Sequence, residues 1–159
     1  MGIVLYRVDE RLIHGQVVLG WGRRLRPERY VVVDDELAES DWEQDLYRLT
    51  LEGGAEVLFL SVEAARLELP GLREEDSRTV LLTRDTAHMA RLARGGLMAG
   101  EEVNLGGLHH RPGRTEVRSY LHLGEDDRAA LRELAEEGVT VTGRDLPETS
   151  RVPLEALLG

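Results

Sequence analysis

The sequence contains no cysteine among its 159 residues. This absence excludes disulfide bonds, thiolate nucleophiles and sulfur-ligated metal sites. Lysine is absent as well, so all 20 basic residues are arginine. Walker-type phosphate-binding loops and Schiff-base enzymes both need a lysine, and neither chemistry is therefore available to this chain.

Long apolar segments are also missing. No stretch approaches the ~18 consecutive apolar residues that a membrane-spanning helix needs. The start, Met1-Gly2-Ile3, lacks the charged and apolar regions of a signal peptide. With 42% hydrophobic and 31% charged residues, the composition is typical of a soluble cytoplasmic protein, and the length predicts a single domain over 1–159.

The sequence has fewer basic than acidic residues. Thirty acidic residues against 20 basic ones give a formal net charge of -10. Nucleic acids and anionic membranes select basic surfaces, so neither is expected as the main partner. The balance is still compatible with a local arginine site for phosphate.

Apolar runs typical of buried strands alternate with helical patterns along the chain. Strands are predicted at Ile3–Val8, Tyr30–Asp34, Glu56–Leu60, Thr79–Leu82, Glu102–Leu105, Tyr120–Leu123 and Val139–Thr142. Helices are predicted by the 3.6-residue period and by capping residues. They lie at Val17–Leu25, Leu37–Leu49, Val62–Leu67 (ended by Pro70-Gly71), Ala87–Ala93 and Asp126–Leu134.

This alternation predicts an α/β fold with an open, mostly parallel, doubly wound sheet of six or seven strands and helices on both faces. The exception is 106–119, which contains Pro112-Gly113 and no clear helix. It is interpreted as a hairpin or an irregular excursion. An antiparallel edge strand is a further alternative for this segment. No helix face is predicted to carry apolar residues beyond those that the core needs.

In such sheets, ligands bind beyond the carboxyl ends of the strands. The loop 9–14 follows the first strand and holds Asp9, Arg11 and His14 before the helix signal begins. Backbone amides from Ile13 to Gln16 at a helix start favour an anion, and Gly15 allows close approach. Arg11 offers a fork of donors for phosphate oxygens, and His14 a nitrogen that can attack near neutral pH.

Each of these residues also has a structural interpretation. A lone histidine at this place is often a helix cap or a packing residue, and Arg11 could form a surface ion pair. Asp9 could orient the loop or simply form its turn. From the residues alone, these alternatives stay open.

The run Asp9-Glu10-Arg11-Leu12-Ile13-His14-Gly15-Gln16-Val17 resembles the phosphorylation loop of phosphotransferase-system (PTS) enzyme IIB subunits of the mannose/fructose/sorbose family. The resemblance continues through 32–38, 60–65 and 103–109, in the order and spacing of the family. Glu10 stands where many members have aspartate. The resemblance covers essentially the whole chain.

The resemblance implies an open α/β fold and a histidine phosphotransferase without a cofactor. His14 would accept a phosphoryl group, on Nδ1 in the family, from a phosphohistidine of a separate IIA protein, and Arg11 would stabilise the group in transfer. The acceptor would be a sugar of the mannose, fructose, sorbose or amino-sugar class. It would enter through the membrane components IIC and IID, which would hold the chain at the membrane periphery.

Further residues follow the ends of other strands. Asp34-Asp35 could line the cleft or cap the next helix; a magnesium pocket of the receiver-domain type would also need a lysine. Ser61 is expected to line the cleft, and Gly106-Gly107 to form a tight turn whose amides approach it. His109 is either structural or cleft-lining, and no metal site is expected at His109-His110 because adjacent side chains of an extended segment diverge.

A second function of a different class stays open. The chain could be a non-catalytic regulatory relative that binds a phosphorylated partner through the same loop and transports nothing. Neighbouring genes for IIA, IIC and IID would favour the transport role, and their absence would favour the regulatory one.

Overall fold

A computed structural model describes residues 2–51 and 54–159 and has one large sheet and one small one. The strands are β1 (Ile3–Asp9), β2 (Arg29–Val33), β3 (Glu56–Leu60), β4 (Thr79–Thr83), β5 (Glu102–Gly107), β6 (Thr115–Arg118), β7 (Leu121–Leu123), β8 (Thr140–Gly143) and β9 (Val152–Pro153). The helix α1 begins as the π-helix Gln16–Trp21 and continues as the α-helix Gly22–Leu25. The others are α2 (Asp41–Leu49), α3 (Val62–Glu74), α4 (Thr86–Ala93), α5 (Glu125–Glu136) and α6 (Leu154–Leu158).

The seven-stranded sheet has the order β3-β2-β4-β1-β5-β8-β9. Its first six strands are parallel, and only the edge strand β9 runs antiparallel to its neighbour. This arrangement confirms the predicted α/β class and the number of strands. Because β1 lies between β4 and β5, the loop after β1 is flanked by the carboxyl ends of two neighbouring strands.

Alternating side chains of the strands fill two apolar layers, as expected for a sheet covered on both faces. On one face, Val8 and Leu81 pack with residues of α3, α4 and α5. On the other, Val32 and Leu82 pack with Val17 of α1 and with the α2 side of the molecule. The sheet is therefore wound on both faces, with α1 and α2 opposite the other long helices.

The expected stop of α3 before Pro70 is wrong. The helix continues to Glu74, because Leu69 and Leu72 extend the buried face beyond the proline. Pro70 itself is exposed, so the carbonyl that loses its hydrogen bond can be hydrated. Packing of the apolar stripe outweighs the missing donor.

Other predictions needed smaller corrections. The segment 37–49 is not one helix: a 3₁₀ turn over Leu37–Glu39 ends at Ser40, where α2 begins. The segment after β5 contains the hairpin β6–β7, which forms a separate two-stranded sheet. The antiparallel edge strand is β9, which the sequence pattern did not indicate. None of the helices in the described residues is long and apolar enough to cross a bilayer.

Candidate functional site

The loop after β1 turns back within four residues. The carboxylate Oδ1 of Asp9 accepts the Arg11 backbone N–H at 3.1 Å, and the Asp9 carbonyl accepts that of Leu12 at 2.9 Å. Leu12 has a φ of 57°, in the left-handed region that few non-glycine residues adopt. Its side chain is fully buried, so core packing holds the strained turn in place.

This turn brings the imidazole of His14 onto Asp9. His14 Nε2 lies 2.9 Å from Asp9 Oδ2, and the His14 side chain is 13% exposed. Nε2 is shielded from solvent, and its N–H does not aim straight at the oxygen, so the contact is an electrostatic pair rather than a well-directed hydrogen bond. Within 2–51 and 54–159, no polar group hydrogen-bonds to Nδ1.

Beneath this pair lies Arg7, whose side chain is completely buried. Its Nε and Nη2 donate to Asp9 Oδ2 at 3.3 and 3.1 Å. Its Nη1 donates to Asn104 Oδ1 at 2.5 Å, and the main-chain carbonyls of Arg144 and Asp145 accept from the same guanidinium at 3.0 Å each. These partners satisfy a cation whose burial alone would be very costly.

The carboxylate of Asp9 is held in its charged form. Burial raises the pKa of Asp9, but contact with His14, the charge of Arg7 and the Arg11 N–H together lower it below its ordinary value of 3.8. An ionised carboxylate opposite Nε2 favours the tautomer that carries its proton there. The Nδ1 lone pair of His14 is then available.

Two glycines of β5 make room for this buried network. A Cβ at Gly106 would lie 1.9 Å from Arg7 Cζ, and one at Gly107 would lie 3.4 Å from Asp9 Oδ1. Both glycines are in the extended strand, without a positive φ. The expected tight turn at Gly106-Gly107 is therefore wrong: these residues are small because charged side chains occupy the space above them.

The first helix is tied to the same network through Trp21. The centre of its ring lies 5.4 Å from Arg7 Cζ and 5.5 Å from Arg144 Cζ. Its Nε1 donates to the Asp145 carbonyl at 2.9 Å. The orientation of α1, and of His14 at its start, is thus fixed by cation–π contacts and one hydrogen bond.

On the solvent side, the loop offers donors rather than acceptors. Arg11 is exposed, and its Nη2 contacts Gln16 Oε1 at 3.2 Å. Gly15 is exposed with open space above it, and it caps α1, whose first N–H groups have no acceptor within the helix. Ile13 is 3% exposed and anchors the loop in the core. The loop thus contains an exposed guanidinium, the amides of a helix start and the imidazole of His14.

Glu10 connects this loop to the segment after β5. Its carboxylate accepts the His109 backbone N–H at 3.1 Å and pairs with Arg111 at 2.8 Å and Arg114 at 3.3 Å. Burial raises the pKa of Glu10, but the His109 N–H and the two guanidiniums lower it below its ordinary value of 4.5. His109 lies beside the loop, with its side chain 60% exposed.

The other predicted residues form a separate cluster at the ends of β2 and β3. Asp34 Oδ2 accepts the Leu37 N–H at 2.9 Å, and Asp35 Oδ1 accepts the Val62 N–H at 2.9 Å. Ser61 Oγ accepts the Ala64 N–H at 3.1 Å. Asp34 thus caps the 3₁₀ turn that follows it, whereas Asp35 and Ser61 both accept amides at the start of α3.

His88 of α4 lies at the centre of this cluster. Its Nδ1 contacts Asp85 Oδ1 at 2.7 Å, and its Nε2 faces the Asp35 N–H at 3.3 Å and Asp34 Oδ1 at 3.6 Å. The hydrogen bond with Asp85 raises the pKa of His88 above its ordinary value of 6.5, against the effect of burial, and the charges of Asp34 and Asp35 add to the rise. Both ring nitrogens have partners, which is typical of a histidine with a structural role.

Sequence reasoning missed the contacts of three charged residues around these clusters: Arg7, Glu10 and Arg84. Arg84 Nε lies 3.1 Å from Asp34 Oδ1, although its N–H points away from the oxygen. A signal for Arg7 existed, since an arginine inside a buried strand must find a partner, and Asp9 two residues later lies on the same face. No comparable local pattern marks Arg84.

The arrangement around His14 suits the transfer of an anionic group. One imidazole nitrogen is held by a carboxylate, the other is free, and an arginine and helix amides lie beside it. No lysine or cysteine takes part, because the chain has none.

Known proteins are similar to this chain in sequence and in fold. Residues 3–159 match the family model described as "PTS system sorbose subfamily IIB component". The N-acetylgalactosamine-specific phosphotransferase enzyme IIB component 1 of Escherichia coli is 31% identical over 146 residues, which cover 91% of each chain. The sorbose-specific EIIB component of Lacticaseibacillus casei is 31% identical over 139 residues, 87% of this chain and 84% of the relative.

A solved structure agrees with these matches. The crystal structure of the IIBSor domain of the sorbose permease from Klebsiella pneumoniae superposes with a TM-score of 0.87 at 26% identity, over 99% of this chain and 96% of the other. The match to the family model covers nearly the whole chain, and the fold agrees with that of a sorbose-type IIB domain. The chain therefore belongs to the sorbose subfamily of PTS IIB components, which are phosphotransferases.

Proposed function

We propose that His14 is the phosphorylated residue of this chain, and that it carries the group from a IIA protein to a sugar. The observation that carries the proposal is the asymmetry of the His14 ring. Nε2 lies 2.9 Å from the Asp9 carboxylate and is shielded, whereas Nδ1 has no polar partner among the described residues. Membership of the IIB family supports a phosphoryl group as the cargo.

In the first step, the Nδ1 lone pair of neutral His14 attacks the phosphorus of the donor phosphohistidine. A nitrogen–phosphorus bond forms on His14 while that of the donor breaks, so no water or metal is consumed. The proton of Nε2 stays opposite Asp9, whose carboxylate offsets the positive charge that develops on the ring. Arg11 and the amides from Ile13 to Gln16 stabilise the three equatorial oxygens.

In the second step, a sugar hydroxyl attacks the same phosphorus and the bond to Nδ1 breaks. The hydroxyl proton passes to water as the phosphate ester forms, and His14 returns to its neutral form with the Nε2 proton in place. We place this step at the cytoplasmic face of the membrane components IIC and IID, through which the sugar enters. A sugar of the mannose, fructose, sorbose or amino-sugar class fits the range of the subfamily.

The remaining predicted residues take supporting parts in this proposal. Gly106 and Gly107 leave space for Arg7 and Asp9, and His109 holds the loop through Glu10. Asp34, Asp35 and Ser61 keep the neighbouring helix starts in place at the same edge of the sheet. They shape the cleft without touching the phosphoryl group.

The test is phosphorylation by IIA that is kept loaded through an HPr-based donor system with labelled phosphoenolpyruvate. The chain should take up one acid-labile, base-stable phosphate, and ³¹P NMR should show the Nδ1 isomer. His14→Gln should take up none, and His88→Gln serves as the matched control. Stoichiometric labelling of His14→Gln would refute the assignment.

A further inference from the structure

An apolar stripe lies on the outside of α2. The side chains of Trp42, Leu46 and Leu49 are 68%, 53% and 77% exposed. Their spacing of four and three residues puts them on one line along the helix, which we call the α2 stripe. Among the described residues, only Leu19 and Leu67 are large apolar residues of similar exposure. The expectation that no helix face exceeds the needs of the core is therefore wrong.

The stripe is on the outside because a polar residue occupies the inner side of α2. Gln44 is buried, and its Nε2 donates to the carbonyls of Leu37 and Ala38 at 2.9 and 3.2 Å. These bonds hold α2 against the 3₁₀ turn that precedes it. The 3.6-residue period of apolar residues is typical of a buried helix face, but here it marks a face that is exposed to solvent.

The α2 stripe reaches the loop of His14. A surface cavity of about 240 Å³ is lined by Ile13 together with the α2 residues Trp42, Leu46 and Tyr47. Ile13 directly precedes His14 in the chain. A macromolecule that docks over His14 from this side therefore covers the stripe as well.

The edges of the stripe are acidic. Asp41, Glu43 and Asp45 lie on α2, whereas its only cation, Arg48, pairs with Asp45 at 3.4 Å and stacks 5.1 Å from the Phe59 ring. The complementary surface is therefore apolar and surrounded by lysine or arginine. An anionic lipid surface would be repelled by this rim.

We propose that the α2 stripe docks this chain onto the cytoplasmic face of the membrane component that receives the phosphoryl group. The proposal rests on the proposed function, which needs such a component. Cytoplasmic loops of membrane proteins carry an excess of lysine and arginine, which matches the acidic rim. An exposed amphipathic helix with a tryptophan is also a common anchor for docking into a groove.

The experiment separates the two transfer steps. Leu46→Glu and Trp42→Ala are compared with Leu67→Glu, because Leu67 is 84% exposed on α3, across the sheet. One assay measures loading of His14 by phosphorylated IIA in solution. The other measures transfer from the loaded chain to sugar in inverted membrane vesicles from the cells that produce this chain.

Both α2 variants should load within twofold of the wild type and transfer to sugar at least tenfold more slowly. Leu67→Glu should match the wild type in both assays. Glu43→Lys should also slow the vesicle step, and the wild-type chain should sediment with the vesicles but not with vesicles of the extracted lipids alone.

Four results would overturn the proposal. They are slower loading by IIA with normal transfer, normal rates in both assays, equal binding to the lipid vesicles, and a wild-type dimer that the α2 variants lose. Failure of the proposed function is distinguished by the first assay, in which the wild-type chain would take up no phosphate. Sedimentation of the unloaded chain with the vesicles would still test the docking surface in that case.

Discussion

Two histidines follow strands of the same sheet and each contacts an aspartate, yet their surroundings differ. His14 touches one carboxylate through Nε2, and its other nitrogen has no polar partner among the described residues. His88 has a partner for both nitrogens, Asp85 on one side and the Asp35 N–H on the other. A carboxylate beside a histidine therefore does not by itself show whether the second ring nitrogen has a partner.

Near each ring, an aspartate forms an ion pair with an arginine, and the two pairs differ in burial. Asp9 is paired with the fully buried Arg7, whereas Asp35 is paired at 2.7 Å with Arg91, whose side chain is 37% exposed. A buried ion pair fixes its members in one geometry, while an exposed pair is screened by water and salt. The His14 ring thus has one nitrogen without a polar partner among the described residues, above a buried ion pair, and the His88 ring has neither feature.

Removal of the buried cation should have the largest effect. Arg7→Met leaves the Asp9 carboxylate buried without its partner, and the free energy of unfolding should fall by about 3–5 kcal/mol. The matched change Arg91→Met removes an exposed partner and should cost about 0.2–1 kcal/mol. Urea denaturation measures both, and equal losses would contradict the contrast between the two supports.

Neutralising the carboxylate beside each ring should separate their roles. In Asp9→Asn, the amide no longer favours the proton on Nε2, so loading of His14 by phosphorylated IIA should slow on the order of 100-fold. Asp85→Asn should stay within twofold of the wild type, since asparagine also caps a helix. Initial rates of phosphate uptake measure both effects. A comparable loss in the two variants would show that the contact between Asp9 and His14 has no special role in loading.

The space under His14 should depend on Gly106. In Gly106→Ala, the new Cβ would lie 1.9 Å from Arg7 Cζ, so the guanidinium must move, at a cost of about 1–3 kcal/mol. Gly15→Ala is the control, because its Cβ would meet open space in a right-handed helical conformation. Its free energy of unfolding should change by less than about 0.5 kcal/mol. A stable Gly106→Ala protein with normal loading would show that Arg7 need not occupy its observed position.

The smallest expected effect is the contribution of His88 to the pH dependence of the free energy of unfolding. Its folded-state pKa is raised above 6.5 by Asp85, with Asp34 and Asp35 adding to the rise, so its stabilisation is complete below pH 6.5 and is lost as the pH rises through the folded-state value. His88→Gln should therefore cost about 1 kcal/mol at pH 6, and this difference from the wild type should shrink at higher pH. Thermal unfolding from pH 6 to 9 tests this, and a difference that grows with pH would contradict it.

Much of the fold was predictable because the strands have simple patterns. β3 was placed to the residue, and β1, β2, β4 and β8 to within one residue at either end, since unbroken Val and Leu runs belong to strands buried on both faces. Long-range packing accounts for the errors. α3 continues beyond its proline because Leu69 and Leu72 are buried. The apolar residues of α2 face outward because Gln44 occupies the inner side of that helix.

The candidate site was predictable where its residues are adjacent in the chain. Asp9, Arg11 and His14 lie within one loop, so spacing and family resemblance were sufficient to select them. The support beneath them comes from β5 and from the segment after β8, where Asn104, Arg144 and Asp145 are about 100 residues or more away in sequence. Such contacts depend on the strand order, which no local pattern contains.

The contact of Trp21 with Arg7 and Arg144 gives the protein a spectroscopic reporter of its own. Its indole is buried against the charged residues beneath His14, while the second tryptophan of the chain is open to water. The two fluorophores should therefore emit at different wavelengths, with the blue-shifted one resistant to iodide. One titration could then follow changes beneath His14 and events on the outer helix as separate signals, without any added label.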